Sequence, residues 1–238
     1  MKILAVESSA TAASVALLSG EQVVGQFYIH TSLTHSQTLV PMLDALLKTT
    51  DTVWESIDAF AVATGPGSFT GIRIGVSTVK GIAFSKNIPC VGVSTLEAMA
   101  ASLRHMEGKT LCCVMDARCK QVYNAVFRVE AGKTVRLCDD RALSIEVLTT
   151  ELCDRHSDIV LVGDGAELCF VAMNQQIPSI TMAPAHLRIQ SAVGVGLKAL
   201  DMARSGQTVS SVALVPNYLR LPQAERELRK KQEGEKEK

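Results

Sequence analysis

Lys2-Ile3-Leu4-Ala5-Val6, then Ala13-Ser14-Val15-Ala16-Leu17-Leu18, then Gln22-Val23-Val24-Gly25-Gln26-Phe27-Tyr28-Ile29: three apolar runs follow one another with no helix between them. The first two are almost continuously hydrophobic, as strands buried on both faces are. Ser19-Gly20-Glu21 is a tight turn, so the second and third runs form a hairpin. A doubly wound parallel sheet would begin strand, helix, strand. Three strands in a row instead predict a mixed sheet opened by antiparallel pairs.

Working outward, Thr34-His35-Ser36-Gln37 fits a capping box, with Thr34 as N-cap of a helix over 34–48. Leu39, Leu43, Leu46 and Leu47 give that helix an apolar face. Residues 57–63 read as a strand, 70–85 as a helix and 88–93 as a strand. Ser94-Thr95-Leu96-Glu97 is a second capping box, opening a helix rich in Ala and Met. The order then recurs. Residues 111–115, 121–129 and 134–137 read as strands, 144–152 as a helix and 158–162 as a strand. Gly163-Asp164-Gly165 turns into a further helix. Residues 188–204 read as one long final helix, and 213–215 as a last strand. Two like-ordered halves predict a duplicated α/β chain. The boundary falls at Gly108-Lys109, giving lobes over 1–108 and 109–222 and a charged, flexible tail over 223–238.

The 238 residues are 47% hydrophobic but only 4% aromatic, with mean hydropathy +0.20, so the core is ample and aliphatic. Twenty-four basic residues balance twenty-four acidic ones. A protein that grips a phosphate backbone alone carries a basic excess, so contact with nucleic acid is expected to run through a partner. No apolar run is long enough to span a bilayer, and Glu7 interrupts the N-terminal one, which excludes a signal peptide. Seven cysteines with no Cys-x-x-Cys pair read as reduced, buried thiols of a cytoplasmic protein.

Gly65-Pro66-Gly67-Ser68-Phe69-Thr70-Gly71 follows a strand and opens a helix, where free amides can receive an anion. It is not a phosphate-binding P-loop, because Ile72-Arg73 stand where Lys-Ser/Thr belong. Thr70 replaces the third glycine of the dinucleotide fingerprint. Pro66 and Thr70 replace the glycines of a nucleophile elbow. A plain capped turn remains the competing reading. In the helix that follows, Gly71, Gly75, Val79 and Ala83 form a small-residue stripe four apart. One reading packs it on the protein's own sheet. The other makes it a partner or dimer interface with the 34–48 helix, through Leu39, Leu43, Leu46, Gly71, Ile72, Gly75, Val76 and Val79.

Several motifs together resemble the TsaB (YeaZ) family. They are Val6-Glu7-Ser8-Ser9, His35-Ser36, and the run from Gly65 through Ile72-Arg73-Ile74-Gly75. Met115-Asp116-Ala117-Arg118, Gln121-Val122-Tyr123 and Pro216-Asn217-Tyr218-Leu219-Arg220 complete the set. The likeness spans nearly the whole chain and is loosest over 130–190. It implies the duplicated actin-like, sugar-kinase-like (RNase H-like) fold, with two lobes and mixed sheets. It also implies a non-catalytic subunit in the synthesis of N6-threonylcarbamoyladenosine in tRNA. The implied partners are a TsaD-type catalytic homologue and a TsaE-type ATPase, which carry the metal and the ATP. A homodimer is expected when the chain is alone, and tRNA contact only through the complex.

The catalytic relatives hold metal with His-x-x-x-His after the fifth strand. The matching positions here are Thr95 and Met99, neither a usual ligand for a catalytic iron or zinc ion. His30, His35, His105, His156 and His186 show no such spacing and read as surface or cap residues. No cofactor is therefore expected. Actin-like ATPases place Asp, Gly and Thr/Ser in the first hairpin. Glu7, Ser8 and Ser9 keep hydroxyls there without the glycine, and read as a degenerate nucleotide-type loop. Gly65, Gly67 and Ser68, and likewise Gly163, Asp164 and Gly165, share that reading. An independent ATPase or kinase, and a metalloprotease, are the alternatives.

Overall fold

A computed structural model describes residues 1–155 and 157–220. His156, residues 221–222 and the tail over 223–238 lie outside them. The first sheet is built from β1 (Lys2–Glu7), β2 (Ala13–Ser19), β3 (Gln22–Ile29), β4 (Ala59–Gly65) and β5 (Cys90–Ser94), in the order β3-β2-β1-β4-β5. β1 pairs antiparallel with β2 and parallel with β4. The second sheet contains β6 (Thr110–Asp116), β7 (Gln121–Glu130), β8 (Lys133–Arg136), β9 (Arg141–Ser144), β10 (Ile159–Val162) and β11 (Thr181–Met182). Its order, β11-β10-β6-β7-β8, repeats that of the first sheet when read from the other edge, with β9 added beside β7. Parallel and antiparallel pairs recur at corresponding places. This is the duplicated, two-lobed, mixed-sheet architecture that the three opening strands and the two like-ordered halves predict, and it agrees with the actin-like fold that the resemblance implies.

The helices are α1 (His35–Thr49), α2 (Phe69–Lys86), α3 (Thr95–Ala101), α4 (Ile145–Arg155), α5 (Ala166–Met173), α6 (Ala185–Arg188) and α7 (Ala192–Arg204). Alternation along β1 sends Leu4 and Val6 to the α1/α2 face and Ile3 and Ala5 to the α7 face. On β6, Cys112 and Val114 face α4 and α5, while Leu111, Cys113 and Met115 face α3. Each central strand is covered on both sides, which is why the runs read as continuous rather than alternating. Cys112 and Cys113 thus sit in separate cores, and burial raises both thiols. Cys119 and Cys153 are exposed, so the expectation of buried thiols does not extend to them.

Thr34 caps α1 as expected. Its N–H donates to Gln37 Oε1 at 3.1 Å, the half of the box made by Gln37. Ser94 caps α3 by accepting from Glu97 N–H at 3.3 Å. The Glu97 carboxylate turns instead to Lys198 (3.1 Å) and Arg136 (3.4 Å). Arg136 also holds Asp140 at 2.6 Å, and Asp140 accepts from Ser94 Oγ at 2.5 Å. This charged knot joins the lobes and is scarcely accessible at Asp140 (9% exposed). Asp140→Ala is expected to lower folding stability by about 2 kcal/mol, through loss of charge-assisted hydrogen bonds that leaves Arg136 partly unpaired. The urea midpoint should fall with the m-value unchanged.

Four local expectations are corrected. The helix expected over 188–204 breaks at Ile189–Ser191, which is extended. Ser191 Oγ caps α7 by accepting from Val193 N–H at 3.2 Å. The 213–215 strand is absent, since the carbonyls of Val212 and Leu214 are taken by Lys80 Nζ (3.0 and 2.8 Å). β9 and β11 went unread because β9 is half-buried at every residue and β11 is only two residues long. Finally, the first sheet ends at Ser94 and the second begins at Thr110, but the chain returns afterwards. α7 packs on the first sheet through Ala192, Val195, Ala199 and Leu200, and Leu214 enters the first lobe's core. The unit expected over 109–222 therefore builds its sheet only up to residue 182.

Candidate functional site

Both glycine turns and the first hairpin converge on a cleft between the lobes, about 670 Å³ in volume. Ser9, Thr11, His35, Ser68, Asp116 and Asp164 are among the residues lining it. The site starts from β1. Where that strand ends, Glu7 is buried (1% exposed), and one carboxylate oxygen accepts from Ser9 N–H at 2.6 Å. Among the described residues the other oxygen has no hydrogen-bond partner. Burial outweighs the Ser9 hydrogen bonds and pushes the Glu7 carboxyl up to about 7, with the nearby Asp164 charge adding to the rise.

The α2 turn does not leave an open cradle. Ser68 N–H donates to Ser9 O at 2.6 Å, and Ser68 Oγ caps α2 by accepting from Gly71 N–H at 3.2 Å. Gly67 has φ +152°, and a Cβ there would overlap Ser9 O. A Cβ at Gly71 would overlap Ser8 O, and one at Gly75 would overlap Ser8 Oγ, which itself donates to Gly71 O at 2.9 Å. Gly65 lies against Asn217 O. The small-residue stripe therefore admits the protein's own Ser8-Ser9 loop.

The contact residues expected for a partner interface are corrected with it. Leu39, Leu43, Leu46, Ile72, Val76 and Val79 are all 3% exposed or less and belong to the first lobe's core, and Gly71 and Gly75 are buried beneath Ser8. The outward faces of the same helices carry Val40 on α1 and Arg73, Ser77 and Phe84 on α2.

In the second lobe, Gly163 N–H donates to Arg188 O (2.7 Å) and Gly165 N–H to Val114 O (3.2 Å). Gly163 (φ +112°) would overlap Val114 O if it bore a Cβ. The Val114 and Arg188 carbonyls thus take the two glycine amides of this turn. Asp164 remains open on the cleft wall but is largely surrounded by protein. Desolvation raises its carboxyl, against a 2.9 Å hydrogen bond from Gln190 Nε2. Sequence reasoning missed Gln190 because it lies inside the stretch expected to be helical. His35 Nε2 is paired with Ala10 O at 2.9 Å, as suits a residue at a helix start.

At the positions matching the relatives' metal ligands, Thr95 and Met99 are both buried on α3, and Met99 sits in an apolar core. Among the described residues, no group of three or more His, Cys, Asp or Glu lies close enough to hold a metal ion. The cleft brings together carboxylates, hydroxyls and one committed imidazole.

Fold and site together define a two-lobed actin-like chain with a cleft between its lobes, walled by the Ser8-Ser9 loop, the α2 turn and Asp164. The family model described as "TsaD: tRNA N6-adenosine threonylcarbamoyltransferase" matches residues 29–227. The tRNA threonylcarbamoyladenosine biosynthesis protein TsaB of Escherichia coli (strain K12) is 31% identical over 92% of this chain and 95% of its own length. Its namesake from Bacillus subtilis (strain 168) is 29% identical over 94% and 96%. Among solved structures, an uncharacterized Pseudomonas aeruginosa protein with similarity to peptidase YEAZ superposes with a TM-score of 0.78. It is 27% identical, over 92% of this chain and 99% of that one. The chain belongs to the TsaB (YeaZ) family.

Proposed function

We propose that this chain is a non-catalytic scaffold and activator within the complex that makes N6-threonylcarbamoyladenosine in tRNA. In that reading a TsaD-type homologue transfers the threonylcarbamoyl group from threonylcarbamoyl-AMP to N6 of adenosine 37, in tRNAs reading codons that start with A. A TsaE-type ATPase joins them, and the partners supply metal and ATP. This chain meets tRNA only through the assembly, forms a homodimer when alone and works in the cytoplasm. One observation supports the reading above the others: the Ser8-Ser9 backbone lies against Gly67 and Gly71, and the Val114 carbonyl against Gly163, at the turns beside the cleft. Family membership supplies the pathway, and the balanced charge agrees with a subunit that leaves the nucleic acid to others.

The surface offered to the homologue is the outward side of α1 and α2, with Phe84 (74% exposed) and Val40 (52%) as apolar anchors. The test is reconstitution of the modification with the catalytic homologue and the ATPase, with and without this chain. Modification should depend on its presence. Phe84→Glu with Val40→Glu should abolish co-elution with the homologue while circular dichroism stays unchanged. Threonylcarbamoyl transfer by this chain alone would overturn the proposal. Micromolar ATP binding with turnover would favour the ATPase reading instead.

A further inference from the structure

The segment matching Pro216-Asn217-Tyr218-Leu219-Arg220 has a structural role that the proposed function does not use. It starts firmly on the first lobe. Leu214 is 2% exposed in that lobe's core, and Asn217 N–H donates to Thr64 O at 2.8 Å. The Tyr218 ring stacks on Phe69, with centroids 4.6 Å apart, and its hydroxyl accepts from Arg73 Nε at 2.9 Å. The Arg73 guanidinium in turn lies 3.9 Å over Phe69, so three side chains form one cluster at the start of α2.

Two residues further on, the chain has crossed to the other lobe. Arg220 Nη1 donates to Ala117 O at 3.4 Å, Nη2 donates to Gln121 Oε1, and the guanidinium stands 5.5 Å from the Tyr123 ring. Ala117, Gln121 and Tyr123 all belong to the β6–β7 hairpin. Residues 217–220 therefore line the cleft while gripping both of its walls.

The hairpin that Arg220 grips is under strain. Arg118, Cys119 and Lys120 have φ of +66°, +53° and +57°, three consecutive non-glycine residues in the left-handed region. Such a turn persists only where its surroundings hold it. Asp116 Oδ1 accepts from Arg118 N–H at 2.7 Å, Ala117 N–H donates to Gln121 O at 2.9 Å, and Arg220 closes the outside.

We propose that Asn217–Arg220 is a latch that fixes the angle between the two lobes, Tyr218 being its anchor on α2 and Arg220 its hook on the β6–β7 hairpin. The Ser94–Asp140 knot and the packing of α3 on β6, β7 and β8 also join the lobes, a seam about which one lobe can turn. With the hook engaged, the cleft holds one width. With it released, the hairpin and the cleft loosen together.

The test places nitroxide labels on Val40→Cys of α1 and on native Cys153 of α4, in a Cys119→Ser, Cys138→Ser background, dilutes the labelled protein in excess unlabelled protein so that only distances within one chain are read, and measures their distance distribution in the full chain. One narrow distribution is expected with the latch intact. Arg220→Ala and Tyr218→Ala should each broaden it, and Tyr218→Phe, which keeps the ring and loses the hydroxyl, should fall between. Amide exchange over 117–121 should quicken about tenfold in Arg220→Ala, as loss of charged-donor hydrogen bonds predicts, while β10 exchange stays unchanged. Distributions unchanged in both alanine variants would overturn the latch. So would equal acceleration of β10, which would make Arg220 a support of the fold as a whole.

Discussion

Gly71→Ala is expected to destabilise the protein by about 3 kcal/mol, although alanine is the better helix former by about 1 kcal/mol. The reason is local. A methyl group at this position on α2 would overlap the carbonyl oxygen of Ser8, which is backbone and cannot rotate away. To accommodate it, α2 must lift from β1, or the Ser8-Ser9 loop must give up its 2.6 Å bond to Ser68 N–H. Ten residues along the same helix, Gly81 meets nothing within 4 Å, so Gly81→Ala should stabilise by about 0.5–1 kcal/mol. Urea unfolding of the two variants beside the parent separates close approach from helix propensity. A Gly71→Ala protein as stable as the parent would mean that α2 does not seat on Ser8 in solution.

The second large effect is a pH dependence. The Glu7 carboxyl rises from 4.5 to about 7 on folding because the group is fully buried, with one oxygen unpartnered. Between those values the native state binds more protons at this residue than the unfolded chain does. Its contribution therefore makes stability fall as pH rises from about 4.5 to about 7, then level off. A rise from 4.5 to about 7 corresponds to about 3 kcal/mol of destabilisation at pH 8. Glu7→Gln cannot ionise and can keep an oxygen toward Ser9 N–H. The variant should gain on the parent with rising pH and be up to about 3 kcal/mol more stable at pH 8. Below pH 4.5 it should have no advantage, since its buried amide N–H groups then lack acceptors. Urea midpoints at pH 4, 6 and 8 give the comparison, and a stability difference that does not change with pH would exclude a titrating Glu7.

Both effects come from one arrangement that the sequence hinted at but could not complete. The glycines of 65–75 were legible as places needing close approach, because glycine inside a helix is unfavourable without a reason. What approaches them was not legible. An anion, a partner helix and the Ser8-Ser9 loop all suit a glycine stripe, and Ser8 lies 63 residues from Gly71 in the chain. The apolar face of α1 posed the same ambiguity. Leu39, Leu43 and Leu46 at helical spacing announce a buried face, but periodicity cannot say whether a sheet or a second protein buries it.

The sequence alone determined the three opening strands, the first two capped helices, the strand-to-helix turns and the residue types at Thr95 and Met99, because these depend on residue types and on spacing within about twenty residues. Tertiary structure alone decided that α7 returns to the first sheet, that Glu7 is sealed beside Asp164, and that Arg220 bridges to the β6–β7 hairpin. Those outcomes rest on contacts between residues about 100 to 200 apart in the chain, where only the folded packing chooses which buried or charged group meets which.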